Sequence, residues 1–372
     1  FTYDGVQRAL KGEHYHRQKV AASMGSFASE LGNLNERTHT DVRYSKELPR
    51  CNRETQPQRL AIAEIFCGLS KFGVGIGFST TGENRQAYAS ALFCMAIPKS
   101  RFGKIIGLKI DDKDWPGHGL PASVVSDRGP GASWNIGLPE SVTREMTPSF
   151  TPQDNAVAEA KHQRKSTLPG APTYVQSDLS AVQMARLEVL KFIEQNRSSS
   201  AAESLSPEMI AAGVSTPYGM WRHLDDRMRN DVMQVPFEEA VRRLLTKVEF
   251  KIDKGRLMFH KFAYSSVALQ QTKFFAALRR HKEGTVPGYV LDIAPRTAWI
   301  EADGRLIEVE VVLPFRTSAA EYWFTLPELT ALGQAKASNE YDRKQAVPAS
   351  SALPDQQFEE QTGMSAARGT VH

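Results

Sequence analysis

The stretch SVVSDRGPG, residues 123–131, decides how the chain is read. Two branched apolar residues, Val124 and Val125, run toward Asp127, and glycine and proline then break the chain at once. Short apolar runs of this kind form buried strands, and α/β sheets present functional groups where such strands end. Asp127 is therefore either an aspartate that starts a turn or a carboxylate held at a strand end for chemistry. The sequence on either side decides between them.

Upstream, Thr38, Thr40, Val42 and Tyr44 alternate with polar residues, which predicts a strand carrying Asp41 on its other face. RLAIAEIF (59–66) and GVGIGFS (73–79) read as two more strands, and NRQAYASALFCMAI (84–97) has apolar residues at helical spacing. With 123–126 as the next strand, the order is three strands, a helix, a strand and then mostly helix. That order matches an α/β fold of the ribonuclease H-like kind, a mixed five-stranded sheet in which an antiparallel trio is joined by a helix to parallel strands. Helices are expected over 155–166, where Asn155 can cap, over 180–195, where Val182, Leu187, Leu190 and Ile193 form an apolar stripe, and over 238–245. Beyond these, short strands at 247–252, 289–293, 297–301 and 306–312, with turns at 253–255 and 303–304, predict a small C-terminal β-barrel.

The expected organisation is a linker or arm over 1–35, the ribonuclease H-like domain over 36–197 and a helical connector over 198–246. The barrel follows over 247–330, and a flexible, polar tail over 331–372. At 372 residues, with 41% hydrophobic and 24% charged side chains, the chain can bury a sizeable core. No apolar run approaches the ~20 residues that span a bilayer, and the start does not read as a signal peptide, so a cytoplasmic protein without a membrane partner is expected. Cys51, Cys67 and Cys94 form no CxxC pair, which fits a reducing compartment and no structural zinc. A net charge of +4 permits a polyanion partner. Basic residues cluster at Lys161, Arg164 and Lys165, at Arg242, Arg243 and Lys247, and at Arg279, Arg280, His281 and Lys282; all but Lys247 and His281 are the candidate DNA contacts, and each cluster also reads as a solvated face.

Asp41 and Asp127 on strands, and Glu159 on the helix at 155–166, could converge although they lie far apart in sequence. Phosphodiester cleavage commonly uses two divalent ions ~3.5–4 Å apart, and hard Mg²⁺ takes oxygen ligands while keeping some waters, so a few carboxylates suffice.

DWPGHGLPASVVSDRGPG (114–131) together with TPSFTPQDNAVAEAKHQ (147–163) resembles the DDE transposase and integrase superfamily, nearest to the TnsB and TniA types of bacterial transposase. Ser70-Lys71 before GVGIGFS, ALFCMAIPKS (91–100), STPYGMWRHL (215–224) and KIDKGRLMFHKFAYSSVAL (251–269) resemble further segments of that family in the same order. The resemblance implies a DNA transposase that cleaves 3′ ends and joins them to target DNA, with Asp127 and Glu159 as the second and third acids. It implies two Mg²⁺ ions, replaceable by Mn²⁺, held by Asp41, Asp127 and Glu159. It also implies an oligomer on paired transposon ends, an AAA+ ATPase partner and end-binding domains upstream. For the first acid, alignment on Thr38 selects Glu36, whereas spacing suits Asp41 as well; Asp41 is preferred because it is an aspartate on the clearer strand. Cys67 stands where relatives often carry a noncatalytic aspartate, and Ala158-Glu-Ala160 replaces the common Val-Glu-Arg, so a catalytically impaired DNA-binding scaffold is the alternative, with a related metal-dependent nuclease behind it.

Gly73, Gly75 and Gly77 do not complete a nucleotide loop, since Phe78 stands where the last glycine belongs; close packing in a strand is the better reading. His14 and His16 have no companion ligands nearby, and Trp115 and Trp134 are expected in the core.

Overall fold

The computed structural model describes residues 2–19, 30–50, 58–126, 137–146, 175–278, 283–313 and 323–365. A mixed five-stranded sheet is built from β1 (Arg37–Tyr44), β3 (Ala61–Cys67), β4 (Gly73–Ser79), β5 (Ser123–Ser126) and β6 (Thr143–Met146), in the order β4-β3-β1-β5-β6. The first three are antiparallel, whereas β1, β5 and β6 run parallel. Two short strands, β2 (Glu47–Leu48) and β7 (Val175–Gln176), pair separately. Every residue of β3 and of the edge strand β4 is buried, as expected for strands covered on both faces.

Helix α1 (Tyr3–Lys19) occupies part of the expected arm and bends at Gly12. One face of the sheet is covered by α2 (Arg85–Ala96), capped by the Asn84 side chain, which accepts the Ala87 amide at 3.1 Å. Gly75 and Gly77 let α2 approach β4: a Cβ at Gly75 would lie 2.6 Å from the Ala91 carbonyl oxygen, and one at Gly77 would overlap the backbone at Ala87 and Ala91. This is the close packing read from the glycine run. After α3 (Lys99–Ile106), the other face is covered by α4 (Ala181–Ser198), whose start carries a Ser180–Gln183 capping box.

Short helices α5 (Pro207–Ala211), α6 (Pro217–Asp225) and α7 (Phe237–Leu244) follow and share the core of the sheet; Trp221 packs on Phe72 with ring centroids 4.7 Å apart. A closed six-stranded barrel then forms from β8 (Thr246–Asp253), β9 (Arg256–Phe259), β10 (Phe262–Ser265), β11 (Glu283–Val290), β12 (Thr297–Ala302) and β13 (Arg305–Val311). Helical turns α8 (Val267–Gln270) and α9 (Lys273–Leu278) interrupt it.

Two expectations are corrected. The strand placed at 289–293 is β11, which begins at Glu283 and ends at Val290. Pro287 obscured it in the sequence, because proline marks strand edges and breaks, yet here it pairs with Glu249 of β8. The stretch from 331, expected as a flexible tail, is helical as far as Thr362 within α10 (Leu326–Thr362). A Thr325–Glu328 capping box starts α10 and Gly363, in the left-handed region, closes it; polar composition had hidden these signals. No described helix is long and apolar enough to cross a membrane.

Candidate active site

Asp41 lies in the middle of β1, half-buried, and its register partner on β3 is Glu64. Side chains two apart on a strand share a face, so Asp41 and Arg43 point together toward α4. There Arg43 donates to Glu64 (Nε 3.0 Å, Nη2 2.7 Å) and to Glu188 of α4 (Nη2 2.8 Å). Glu64 is 2% exposed. Burial works against the Arg43 charge, but Glu64 and Glu188 outweigh it and raise its pKa. Burial likewise works to raise the Glu188 pKa, and hydrogen bonds from Lys191 and Arg43 reverse that and hold it below the usual carboxylate value. The Asp41 carboxylate accepts the Val42 amide at 2.8 Å, which fixes its rotation at the strand surface.

Strand β5 lies beside β1 in parallel, with Thr38 opposite Val124 and Thr40 opposite Ser126. The Thr38 hydroxyl donates to the Ser123 carbonyl at 3.1 Å and secures that register. Asp41 follows Thr40, and Asp127 follows Ser126. The pairing ends at Thr40 and Ser126, one residue in sequence before each aspartate, and Asp127 itself is outside the described residues.

Glu36 has a different setting. It precedes β1, and one carboxylate oxygen accepts the amides of Gly32 (2.8 Å) and Asn33 (3.1 Å), closing a turn. That turn is tied to residues 229–231: Asn33 donates to Asp231, Asn35 to Asn230, and Arg229 to the Gly32 carbonyl.

Of the other candidates, Arg242 forms a fork with Glu301 (2.7 and 3.3 Å) and reaches Glu238 at 3.5 Å; Arg243 pairs with Glu239 at 2.8 Å. Both thus have acidic partners, and Arg242 joins α7 to the barrel. Glu159, Lys161, Arg164, Lys165, Arg279, Arg280 and Lys282 lie outside the described residues, as do the helix expected over 155–166, Trp134 and Cys51. Trp115 is fully buried, as expected. Among the described residues no group of three or more His, Cys, Asp or Glu is arranged to hold a metal ion. The Arg43–Glu64–Glu188 network was not anticipated, although a glutamate inside the apolar run AIAEIFC was a usable signal.

Residues 38–168 match the family model of the TnsB C-terminal domain. The match covers about a third of the chain, spans Asp41, Asp127 and Glu159, and ends before the barrel. It supports a TnsB-like transposase family and a transposase-related, DNA-binding role. No curated protein matches the chain. Within the matched stretch lie the β1–β5 pairs from Thr38–Val124 to Thr40–Ser126 and the glycine-run strand β4.

Proposed function

We propose that the chain is a DNA transposase with a ribonuclease H-like catalytic domain of the DDE type, which cleaves the 3′ ends of a transposon and joins them to target DNA. The observation that carries this is the β1–β5 pairing: Thr40 opposite Ser126 leads the chain into Asp41 on one strand and toward Asp127 on its neighbour. The TnsB C-terminal domain match spans both, together with Glu159.

Asp41, Asp127 and Glu159 are hard oxygen donors, the type Mg²⁺ prefers, and Asp41 sits half-buried on a rigid strand rather than on a loop. Two Mg²⁺ ions held by these acids would supply positive charge to stabilise both the attacking and the departing oxygen. The chain itself orients Asp41: the Val42 amide holds it, and Arg43 balances the buried Glu64 next to it, so that buried charge is compensated. DNA ends, target DNA, self-assembly on paired ends and an AAA+ ATPase partner belong to the same reading.

The setting of Glu36 favours a second reading. If the first acid were Glu36, its carboxylate would be committed to backbone amides and the protein would act as a DNA-binding scaffold. Strand transfer with Mg²⁺ on the terminal DNA of the element separates the two. The transposase reading expects joined products from the wild type and from Glu36→Gln, and none from Asp41→Asn, Asp127→Asn or Glu159→Gln. A wild type that binds DNA without joining it leaves the scaffold.

A further inference from the structure

We infer that the start of α10 is a detachable strap: it closes one mouth of the barrel by clamping the strained β9–β10 turn, and strap and turn open together. The inference stands apart from the transposase reading.

Three two-residue turns of the barrel share one backbone form, with positive φ at both central positions. These are Lys254-Gly255 (48° and 71°), Asp303-Gly304 (51° and 71°) and His260-Lys261 (45° and 67°). Such turns match the twist of the paired strands and favour glycine at the second position. The first two have it. The β9–β10 turn carries Lys261 there instead, a conformation that costs an L side chain free energy and persists where surrounding contacts impose it.

α10 supplies those contacts. Strands β9 and β11 both run antiparallel to β8, so they end at the same mouth of the barrel. α10 begins beside the end of β11, where the Leu326 amide donates to the Asp292 carbonyl at 2.7 Å. Leu329 then enters the barrel core, 4% exposed. Thr330, Gly333 and Lys336, spaced to share one helix face, meet the turn. The Thr330 hydroxyl donates its proton to the Leu326 carbonyl (2.8 Å), so its oxygen accepts from His260 Nε2 (3.2 Å). Lys336 Nζ donates to the Lys261 carbonyl at 3.1 Å and lies 5.3 Å from the centre of the Phe262 ring. At Gly333 the helix rests directly on the turn: a Cβ there would lie 2.5 Å from the His260 carbonyl oxygen.

From Ser338 onward every described side chain of α10 is exposed, so its first turns carry the seat. Just before the helix, Trp323 lies between the guanidinium groups of Arg186 (4.2 Å) and Arg296 (4.8 Å), which ties the root of the strap to α4 and to the barrel. Lifting at Gly333 relaxes the turn and withdraws Leu329 from the barrel core while the root stays fixed.

Amide hydrogen exchange of the full chain at pH 7, read by mass spectrometry on peptides from 257–264 and 326–337 with 61–79 as the reference, tests this. In the wild type the two segments should show matching protection factors, about tenfold below the reference. Gly333→Ala favours the helix itself yet collides with the turn, so both segments should exchange about tenfold faster and the reference should not change. Lys261→Gly relieves the turn and should slow both segments about fivefold. If Gly333→Ala fails to fold, Thr330→Val, which removes the acceptor of the His260 bond, should speed both about fivefold. Unequal protection of the two segments overturns the inference. So does a folded Gly333→Ala that does not speed both, or that speeds the reference equally, and so does a Lys261→Gly that slows neither.

Discussion

Two carboxylates, Asp41 and Glu36, compete for the first catalytic position, and they differ in what holds them. Glu36 closes a turn by accepting two backbone amides, a role that Gln fills only with weaker, uncharged bonds. Glu36→Gln should therefore lose about 1–2 kcal/mol in denaturant unfolding while strand transfer persists. Asp41→Asn should show the opposite pattern, unchanged stability within about 0.5 kcal/mol and no transfer. Alternation along β1 made Asp41 legible in the sequence, but the role of Glu36 was not, because its partners are backbone amides that no residue pattern announces. Lys99 offers a second test. Its buried ammonium donates to the carbonyls of Cys94 (2.7 Å) and Met95 (3.3 Å) at the end of α2 and lies 5.1 Å from the centre of the Trp115 ring. Burial pulls its pKa down to about 8. A lysine whose folded pKa is below its unfolded value sheds its proton first when folded, so its burden on stability is fully present below that pH and is relieved as pH rises. Burial pushes the Cys94 thiol from 9.0 up to about 11, and that acts with the opposite sign above pH 9. Between about pH 8 and 9 the wild type should gain up to about 1.4 kcal/mol, and Lys99→Met should lose this rise in chemical-denaturation curves.

Among the elements, α2 against β4 sets the core of the sheet. Gly77→Ala would drive a methyl group into the backbone of α2 at Ala87 and Ala91, a clash with main chain that side-chain rotation cannot relieve. A loss of about 3 kcal/mol is expected, read as a lower urea midpoint at unchanged m-value. Gly82→Ala serves as the contrast, since a Cβ there meets nothing within 4 Å but the positive φ of 86° strains it, costing about 1 kcal/mol. The elements easiest to read were those with one strong period: β1 by alternation, β3 and β5 by continuous apolar runs, α2 by its apolar spacing; α4 was placed, but its buried face is carried by Val182, Val189, Phe192 and Ile193, while Leu187 and Leu190 of the expected stripe are exposed. Those missed had conflicting signals. β11 contains Pro287, β9 and β10 have only four residues each, and α10 carries Pro348 and Pro354 within a polar sequence. Asp127, Glu159 and most of the expected DNA contacts lie outside the described residues, so Asp41 is the part of the proposed triad whose setting can be compared directly with the sequence reading.

Among the described residues, an apolar junction joins the sheet to the barrel. Trp299 of β12 is 1% exposed and belongs to the core of the sheet, edge-on to Phe93 of α2 (6.3 Å) and Phe237 of α7 (5.7 Å). Arg101 of α3 lies 3.1 Å over the Phe237 ring, and the Arg242–Glu301 fork spans the same seam. Sheet and barrel should consequently unfold in one transition by calorimetry, and Trp299→Ala should lower stability by about 3–5 kcal/mol and split that transition in two. A barrel fixed in this way holds any DNA it grips at a constant distance from the proposed acids. The claim on which the account turns is that Asp41, Asp127 and Glu159 share divalent ions, and anomalous diffraction from crystals of the full chain soaked in Mn²⁺ tests it most directly. The account predicts Mn²⁺ peaks within about 2.0–2.4 Å of carboxylate oxygens from all three residues. Peaks ligated by other side chains, or a folded site in which Asp41 stands apart from Asp127 and Glu159, would contradict it.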